Sequence, residues 1–367
     1  MTNSLRQPIR VLFVISSLNR GGTEMRLVEI INGLDRDRFE ARLFVAKGGE
    51  LIPEVREHLA EADVKRSAAV LERLRRLWAV LYDWRPDVVW CVQGGLLGFT
   101  GRIMARVQGV PVIILSLHGH RAGGSGLDWP NVALTRLLRT PVVVVSHTLY
   151  RALLGQGIPA GYLTVIPNGV DSARFCPAPP GSRRDGIVVG TVGNLLPVKG
   201  HELLIHAAAQ IVQDHPEVQF LIVGEGQERP RLERLIADLQ LSLHVRLLGR
   251  RNDIPDILRT LDLFVLTSHH EGMPNVVLEA MATGLPVVTT DFGDAAALIG
   301  EDAGIVLTGR DPAALATTIL ELIEDPAQIA AMGSAARQRA VTRFSQEQMI
   351  RAREQLILEQ LARRRPA

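Results

Sequence analysis

Short, uninterrupted runs of apolar and largely β-branched residues alternate with longer amphipathic stretches along almost the whole chain. Because apolar residues occupy consecutive positions in these runs, both faces of each predicted strand are buried, as in parallel sheets covered by helices. The predicted strands are 9–16, 40–46, 86–92, 111–117, 141–146, 186–193, 218–224, 244–249, 262–268, 286–291 and 304–308. This alternation predicts a doubly wound α/β fold.

The 367-residue chain has the length of about two domains. The stretch PAPPGSRRDG (177–186) lacks apolar periodicity and separates two complete strand–helix series. We therefore expect one domain over 1–176, a second over 177–344 and an amphipathic C-terminal helix within 345–367. Ligands of open α/β sheets bind beyond the carboxyl ends of the strands, so the loops after the strands, facing a cleft between the domains, are the expected site.

The net charge of +2 conceals an uneven distribution along the chain. Residues 1–170 contain 21 basic and 14 acidic residues, whereas residues 171–367 contain 20 and 25. Opposite signs in the two halves indicate different partners, and the small net charge argues against a nucleic-acid-binding protein.

The number of cysteines and the length of the apolar runs indicate the cellular compartment in which the protein is expected. Cys91 and Cys176 are too few for a disulfide framework, and no Cys-x-x-Cys or Cys/His cluster predicts a zinc site. No apolar run is long enough for a signal peptide or a spanning helix. We expect a cytoplasmic protein, at most peripheral on the inner face of the plasma membrane.

Two loops after predicted strands of the first domain have the composition of binding loops. SSLNRGGTEMR contains Gly21 and Gly22, which permit close backbone approach, and it leads into a helix N-terminus that favours anions. The alternative interpretation is that the two glycines only form a tight turn between the strand and the helix. LSLHGHR contains His118, which could donate to a substrate oxygen or transfer a proton, or could simply be a core or capping residue. A metal site with His120 lacks a nearby carboxylate ligand.

The loop GNLLPVKGHE opens the second domain and contains Gly193, Asn194 and Lys199. Lysine is rare here, with three among 41 basic residues, so its position between a glycine turn and a helix start favours a phosphate-neutralising role. Further along, VGEGQER contains Gly224 in a glycine-rich turn. The loop GRRND, with Arg250 and Arg251, could present groups to a nucleotide base.

The segment HHEGMPNVVLEAMATGLPVV carries the most specific pattern in the chain. Glu271 lies in a loop and could accept from sugar hydroxyls, while Glu279 lies on the following helix and could accept from a ribose diol. Pro274 suits the helix entrance and Asn275 a cap. The amides expected to face a diphosphate are in Gly272, Met273 and Asn275. Solvated helix charges are the alternative for both glutamates, although the neighbours of Glu279 are mostly apolar.

Together these residues resemble the retaining glycosyltransferases of the GT-B fold, specifically glycosyltransferase family 4, over nearly the whole chain. The matching segments are RGGTE (20–24), RPDVVW (85–90), HG (118–119), VIPNGVD (165–171), VKG (198–200), VGEG (223–226) and the E-x7-E pattern from Glu271 to Glu279. The resemblance implies two Rossmann-like domains facing a cleft, with the C-terminal helix packed on the first domain.

The resemblance also implies roles for individual residues. Lys199 would stabilise the diphosphate leaving group, Glu271 and His118 would contact the donor sugar, and Glu279 would hold the ribose. The remaining donor-binding residues would be Gly21, Gly22, Gly193, Asn194, Gly224, Arg250, Arg251, Gly272, Met273, Pro274 and Asn275. Many relatives carry arginine at the position of Asn194, so here Lys199 and helix amides would carry the leaving-group charge.

The implied activity is transfer of a hexose or N-acetylhexosamine from a nucleotide diphosphate sugar, with UDP as the expected base. The acceptor would be lipid-linked or a polysaccharide, in cell-envelope or exopolysaccharide synthesis. The resemblance further implies retention of configuration, no metal and no cofactor beyond the donor itself. A sugar-nucleotide epimerase of the same fold and a non-catalytic glycosyltransferase-like partner subunit remain alternatives.

The segment 64–85 is basic and amphipathic, with Trp78 among leucines and arginines. Such a segment on the positively charged domain is typical of proteins that bind an anionic membrane surface. An ordinary packed helix with solvated arginines explains the same pattern.

Overall fold

A computed structural model describes residues 7–55, 59–62, 69–119, 127–179 and 186–364. The chain divides into two compact units: unit 1 comprises 1–168 with 347–367, and unit 2 comprises 169–346.

Unit 1 contains a sheet of seven parallel strands in the order β3-β2-β1-β4-β5-β6-β7. The strands are β1 (Ile9–Ile15), β2 (Phe39–Val45), β3 (Leu59–Ala62), β4 (Val88–Val92), β5 (Val112–Leu117), β6 (Val142–Val144) and β7 (Leu163–Val165). The helices are α1 (Gly22–Gly33), α2 (Val70–Trp84), α3 (Gly95–Val107), α4 (Trp129–Leu138), α5 (His147–Gly155) and the C-terminal α13 (Gln346–Ala362).

Alternate residues of β1 point into two different cores. Val11 and Phe13 join a core with Leu27 of α1 and Ile357 of α13, so these two helices cover one face of the sheet. Leu12 joins the other core, to which α2, α3 and α5 contribute buried side chains. Burial on both faces explains why the strands read as continuous apolar runs.

Unit 2 contains a sheet of six parallel strands in the order β10-β9-β8-β11-β12-β13. The strands are β8 (Val188–Val192), β9 (Gln219–Val223), β10 (Val245–Gly249), β11 (Leu263–Leu266), β12 (Val287–Thr290) and β13 (Gly304–Leu307). The helices are α6 (His201–Asp214), α7 (Arg229–Asp238), α8 (Ile254–Leu258), α9 (Asn275–Thr283), α10 (Ala295–Ile299), α11 (Pro312–Ile323) and α12 (Pro326–Arg343).

The fold class predicted from the sequence is confirmed, since both sheets are parallel, helix-covered and doubly wound. Two strands, β3 and β7, were not predicted. They have four and three residues and lie at the two edges of their sheet, so neither forms a long apolar run.

The two compact units divide at 168/169, eight residues before the predicted domain boundary at 176/177. Val170 and Phe175 are buried in a core of unit 2, and the Val170 amide donates to the Phe344 carbonyl at 2.8 Å. Residues 169–176 therefore belong to the second unit. Residues 180–185 of the predicted boundary segment lie outside the part of the chain that the structure describes.

Candidate functional site

In unit 2, the loops after β8 and β11 meet at the carboxyl edge of the sheet, because these two strands are neighbours. The Lys199 Nζ donates to Glu271 Oε1 at 2.5 Å, and Ser268 Oγ donates to the same oxygen at 2.7 Å. The Lys199 and Glu271 side chains are 21% and 13% exposed. An ammonium and a carboxylate, 72 residues apart in sequence, are thus held together with partial access to solvent.

Backbone contacts hold these two loops in register. The His269 amide donates to the Val198 carbonyl at 2.8 Å, and Thr267 Oγ1 donates to the Lys199 carbonyl at 3.1 Å. Gly200 adopts a φ of 58°, and a Cβ there would lie 2.6 Å from the Thr267 carbonyl oxygen. Only glycine therefore allows this approach, which places Lys199 directly before the start of α6.

His201, the first residue of α6, lies beneath this loop and was not singled out from the sequence. It is 3% exposed, and its Nε2 lies 3.4 Å from the Asn194 carbonyl oxygen. Burial lowers the pKa of His201 to about 4, so the ring is neutral at pH 7. The signal that could have identified His201 was its position directly after Lys199 and Gly200, at the predicted start of a helix.

Gly193 and Gly224 bring the loops after β8 and β9 into backbone contact. The Gly193 amide donates to Val223 and the Gly224 amide to Gly249, each at 2.9 Å. Gly224 has a φ of 146°, and a Cβ there would collide with the Gly193 carbonyl oxygen. Close backbone packing at this edge therefore accounts for both glycines. Asn194, which directly follows Gly193, is exposed.

Helix α9 begins at the same edge. Pro274 occupies its N-cap and Asn275 is the first helical residue, so the prediction that Asn275 caps the helix is wrong. Gly272 is buried, and Met273 is half-buried in the turn that precedes the cap. The positive end of the α9 dipole therefore lies beside the Glu271 loop, as an anion-binding arrangement requires.

Glu279 lies in the second turn of α9 and is 6% exposed. Its sequence neighbours Val277, Leu278, Ala280 and Met281 are all buried. Burial of a carboxylate is costly unless polar partners compensate it, so this position is not a solvated helix charge.

Arg250 and Arg251 follow β10 and are exposed. Arg251 makes a bidentate contact with Asp253, at 2.8 and 2.6 Å. The structure thus gives Arg251 a local carboxylate partner.

In unit 1, Gly21 is the N-cap of α1, with extended backbone, and its carbonyl accepts from the Met25 amide at 3.0 Å. Gly22 is the first helical residue. A Cβ at Gly21 would lie 2.5 Å from Glu24 Oε2, so glycine leaves room for Glu24 to fold over the cap. Burial raises the pKa of that carboxyl.

His118 directly follows β5, at the carboxyl edge of the unit 1 sheet. Its Nε2 lies 3.3 Å from Ser116 Oγ, while its buried Nδ1 has no hydrogen-bond partner among the described residues. Burial, with a smaller contribution from the Arg353 charge, lowers the pKa of His118 to about 3. The ring is therefore a neutral hydrogen-bonding group at pH 7. His120 lies outside the described residues.

Arg353 of α13 is buried, although an arginine of an amphipathic surface helix is expected to face solvent. It is 1% exposed, and its Nη1 donates to the Met349 carbonyl at 3.0 Å. Its spacing of four from Met349, a core residue, was the signal that could have revealed it. Burial, then the nearby Arg26 charge, lowers the pKa of Arg353 to about 9.

In the part of the chain that the structure describes, no three His, Cys, Asp or Glu side chains are grouped to hold a metal ion. Asp35 and Asp37, which form a D-x-D sequence, are exposed, and the Asp37 amide donates to the Asp35 carboxylate at 3.0 Å.

Two family patterns match this chain. "Glycosyltransferase Family 4" matches residues 20–174 and "Glycosyl transferases group 1" matches residues 175–339.

Curated relatives align over most of the chain. A GDP-mannose-dependent monoacylated alpha-(1-6)-phosphatidylinositol monomannoside mannosyltransferase from Corynebacterium glutamicum is 33% identical, with 67% of this chain and 69% of the relative covered. A UDP-Gal:alpha-D-GlcNAc-diphosphoundecaprenol alpha-1,3-galactosyltransferase from Escherichia coli is 28% identical, with 70% and 71% covered.

Solved structures share the fold over nearly the full length. Anabaena HepE in complex with UDP-glucose is 25% identical, with a TM-score of 0.80 and 97% of this chain and 100% of that chain covered. Sucrose-phosphate synthase from Thermosynechococcus elongatus, at 20% identity and the same TM-score and coverage, shows the fold alone. With both family patterns and these relatives in agreement, the chain belongs to the family 4, group 1 glycosyltransferases, which have the GT-B fold.

Proposed function

We propose that this glycosyltransferase moves a hexose or N-acetylhexosamine from a nucleotide diphosphate sugar to a lipid-linked or saccharide acceptor, with retention of configuration and without a metal ion. The observation that carries the proposal is the joint position of Lys199, Glu271 and the α9 N-terminus at one sheet edge. A cation and a helix dipole suit a diphosphate, and a carboxylate suits sugar hydroxyls.

The proposed reaction breaks the bond between the anomeric carbon and the diphosphate oxygen, and forms a bond from that carbon to an acceptor oxygen. The acceptor proton passes to the departing phosphate oxygen on the same face, which retains the configuration without a protein nucleophile. Negative charge grows on the diphosphate, so the Lys199 ammonium and the α9 N-terminus contribute most in the transition state.

Glu271 is proposed to hold the donor sugar. Ser268 Oγ donates to Glu271 Oε1, and the Ser268 carbonyl itself accepts from Thr290 Oγ1 at 2.7 Å. This chain of hydrogen bonds orients the carboxylate. In unit 1, His118 is proposed to contact the donor sugar as a neutral hydrogen-bonding group.

Binding of the basic segment 64–85 to an anionic membrane surface stays a prediction. Lys65 and Arg66 of this segment lie outside the described residues. The described part of the chain contains no helix long and apolar enough to cross a membrane.

UDP remains the proposed base, supported by the UDP-sugar named for the Escherichia coli relative and for HepE. The GDP-mannose named for the Corynebacterium relative supports the competing assignment. A thermal-shift screen of UDP-, GDP- and ADP-sugars, followed by turnover of the best binder, separates them. A larger shift with GDP-mannose than with every UDP-sugar would overturn the UDP assignment.

Charge deletion tests the site itself. Lys199→Ala should lower kcat by roughly 10²–10³, as expected for loss of one group that stabilises leaving-group charge. Glu271→Gln should raise the KM for the donor and lower kcat. Arg246→Ala and Glu321→Gln remove exposed charges elsewhere in unit 2 and serve as matched controls. Activity unchanged by Lys199→Ala would refute the proposed role.

Two further assays address the reaction type. Incubation with donor alone should leave it unconverted, whereas an epimerase would change the sugar. Activity should persist in EDTA; loss in EDTA with recovery on adding Mg²⁺ or Mn²⁺ would refute metal independence. Anomeric configuration of the product, measured by NMR, tests retention.

A further inference from the structure

Arg310 follows the edge strand β13 of unit 2 and was not singled out from the sequence. The next residue, Asp311, caps α11 by accepting from the Ala313 amide at 3.1 Å, so the backbone at Arg310 is fixed. In the sheet, β12 separates β13 from β11. The half-buried Arg310 side chain reaches past the end of β12, and its Nη1 donates to the Thr267 carbonyl at 2.7 Å.

Thr267 connects this arginine to the candidate site. It directly follows β11 and is 2% exposed. Its Oγ1 donates to the Lys199 carbonyl at 3.1 Å, while its own carbonyl accepts from Arg310. A buried carbonyl beyond the end of a strand needs a donor from outside the strand ladder. Arg310 supplies that donor, so the residue that ties the β11 loop to Lys199 is itself held by Arg310.

The same guanidinium packs against Gly200, which directly follows Lys199 and is the N-cap of α6. A Cβ on Gly200 would collide with both the Thr267 carbonyl oxygen and Arg310 Nη2. Burial lowers the pKa of Arg310, and the Glu202 carboxylate in the first turn of α6 opposes this shift. The guanidinium therefore interacts with both the end of β11 and the start of α6, which together hold the Lys199 backbone.

The next carbonyl after β11 is held in a different way. The Ser268 carbonyl accepts from Thr290 Oγ1 of β12 at 2.7 Å, and Ser268 Oγ donates to Glu271. Hydrogen bonds from a charged donor are stronger than those from a neutral hydroxyl. The Lys199 half of the ion pair is thus held through a charged donor, and the Glu271 half through a neutral one.

The placement of its backbone matters for a lysine that stabilises charge. The ammonium is carried on a flexible four-carbon stem, so its position depends on where the stem begins and on the Glu271 carboxylate at its tip. Groups that stabilise a transition state act best when they are held in place before the reaction. A loose Lys199 backbone would therefore slow the bond-breaking step more than it weakens donor binding.

We propose that Arg310 is a positioning residue for sugar transfer. By holding the Thr267 carbonyl and packing against Gly200, it keeps the Lys199 ammonium where negative charge develops on the leaving group. This inference rests on the proposed function of Lys199. Arg310 acts through Lys199 and makes no contact with the substrate of its own.

Steady-state kinetics of the full chain with the best-binding donor tests the proposal. Arg310→Met removes the donor at similar side-chain length and should lower kcat about tenfold, with the KM for the donor sugar changed less than about twofold. Arg310→Lys keeps a cationic donor and should restore most of the lost kcat. Unchanged kcat in Arg310→Met would overturn the proposal. Arg310→Gln, with a neutral donor, replaces Arg310→Met if the latter does not fold.

A double variant asks whether Arg310 acts through Lys199. Arg310→Met combined with Lys199→Ala should have a kcat within about twofold of Lys199→Ala alone, because no ammonium is left to position. A further loss of about tenfold would show an independent action and overturn the proposal. If Lys199→Ala alone has no effect, the proposed function fails. If Lys199→Ala is impaired and Arg310→Met is not, only the inference on Arg310 fails.

Arg339 provides the matched control for loss of packing. It is also half-buried, donates to two carbonyls of α10 at 2.8 and 2.7 Å, and lies against Gly300, which has a φ of 81°. These carbonyls belong to neither of the two site loops. Arg339→Met should therefore leave kcat unchanged. A loss of kcat equal to that of Arg310→Met would show that general destabilisation of unit 2 causes the effect, and would overturn the proposal.

Discussion

Protonation of His201 should destabilise unit 2 as the pH falls. The ring is 3% exposed, and burial lowers its pKa from 6.5 to about 4. The folded pKa lies below the unfolded one, so the unfolded chain binds more protons between these values. This contribution to stability is therefore complete above about pH 7 and is lost as the pH falls from about 6.5 towards 4.

The magnitude follows from the two pKa values. At about pH 5 the unfolded histidine is almost fully charged and the folded one is mostly neutral, which costs about 2 kcal/mol of unfolding free energy relative to about pH 8. His201→Gln keeps a neutral polar side chain that does not titrate. The variant should therefore lose about 2 kcal/mol less than wild type over the same pH interval.

Urea unfolding at the two pH values measures this difference. All four tryptophans lie in unit 1, so fluorescence follows unit 1 and far-UV circular dichroism follows both units. The effect of His201→Gln should appear in the dichroism transition, while His118, whose pKa is also lowered, should keep unit 1 acid-sensitive in both proteins. Equal losses of stability in wild type and His201→Gln would refute the argument.

Three further outcomes are expected. Burial raises the pKa of the Cys91 thiol to about 12. A disulfide-exchange reagent should therefore react only with half-buried Cys176 in the native chain, and with both thiols in urea. Two reactive thiols in the native chain would contradict this. Arg353→Met should change the unfolding free energy of unit 1 by less than about 1 kcal/mol, because the buried Nε and Nη2 of Arg353 have no partners among the described residues. A loss above about 3 kcal/mol in urea unfolding would show that the guanidinium is compensated. Gly224→Ala should destabilise unit 2 by at least about 2 kcal/mol, because the added Cβ would collide with the Gly193 carbonyl oxygen and because alanine disfavours a φ of 146°. An unchanged thermal unfolding midpoint would contradict this.

The fold was largely predictable because the strands are buried on both faces. Each central strand then consists of consecutive apolar residues, which single-sequence reasoning detects. The edge strands β3 and β7 escaped detection because an edge position neither needs nor shows a long apolar run. The division of the compact units at 168/169 has no local signal, because Val170 and Phe175 reveal their core only through distant partners.

The candidate site residues Lys199 and Glu271 were proposed from their loops after strands, but their contact was not predicted. It depends on β8 and β11 being neighbours in the sheet, although β9 and β10 intervene in sequence. Ser268, which shares the Glu271 oxygen, has no local signal. The cap prediction for Asn275 was wrong because Pro274 already occupies the turn into α9.

Local sequence was sufficient to predict most of the strands and helices, and to find the loops that carry glycines, lysine and paired glutamates. These properties depend on neighbours along the chain. In contrast, the burial of Arg353 and His201 and the exposure of Trp129, Leu96 and Leu71 result from tertiary packing. Burial depends on which distant segments pack together, so the lowered pKa of His201 and the exposure of these apolar side chains cannot be read from local sequence.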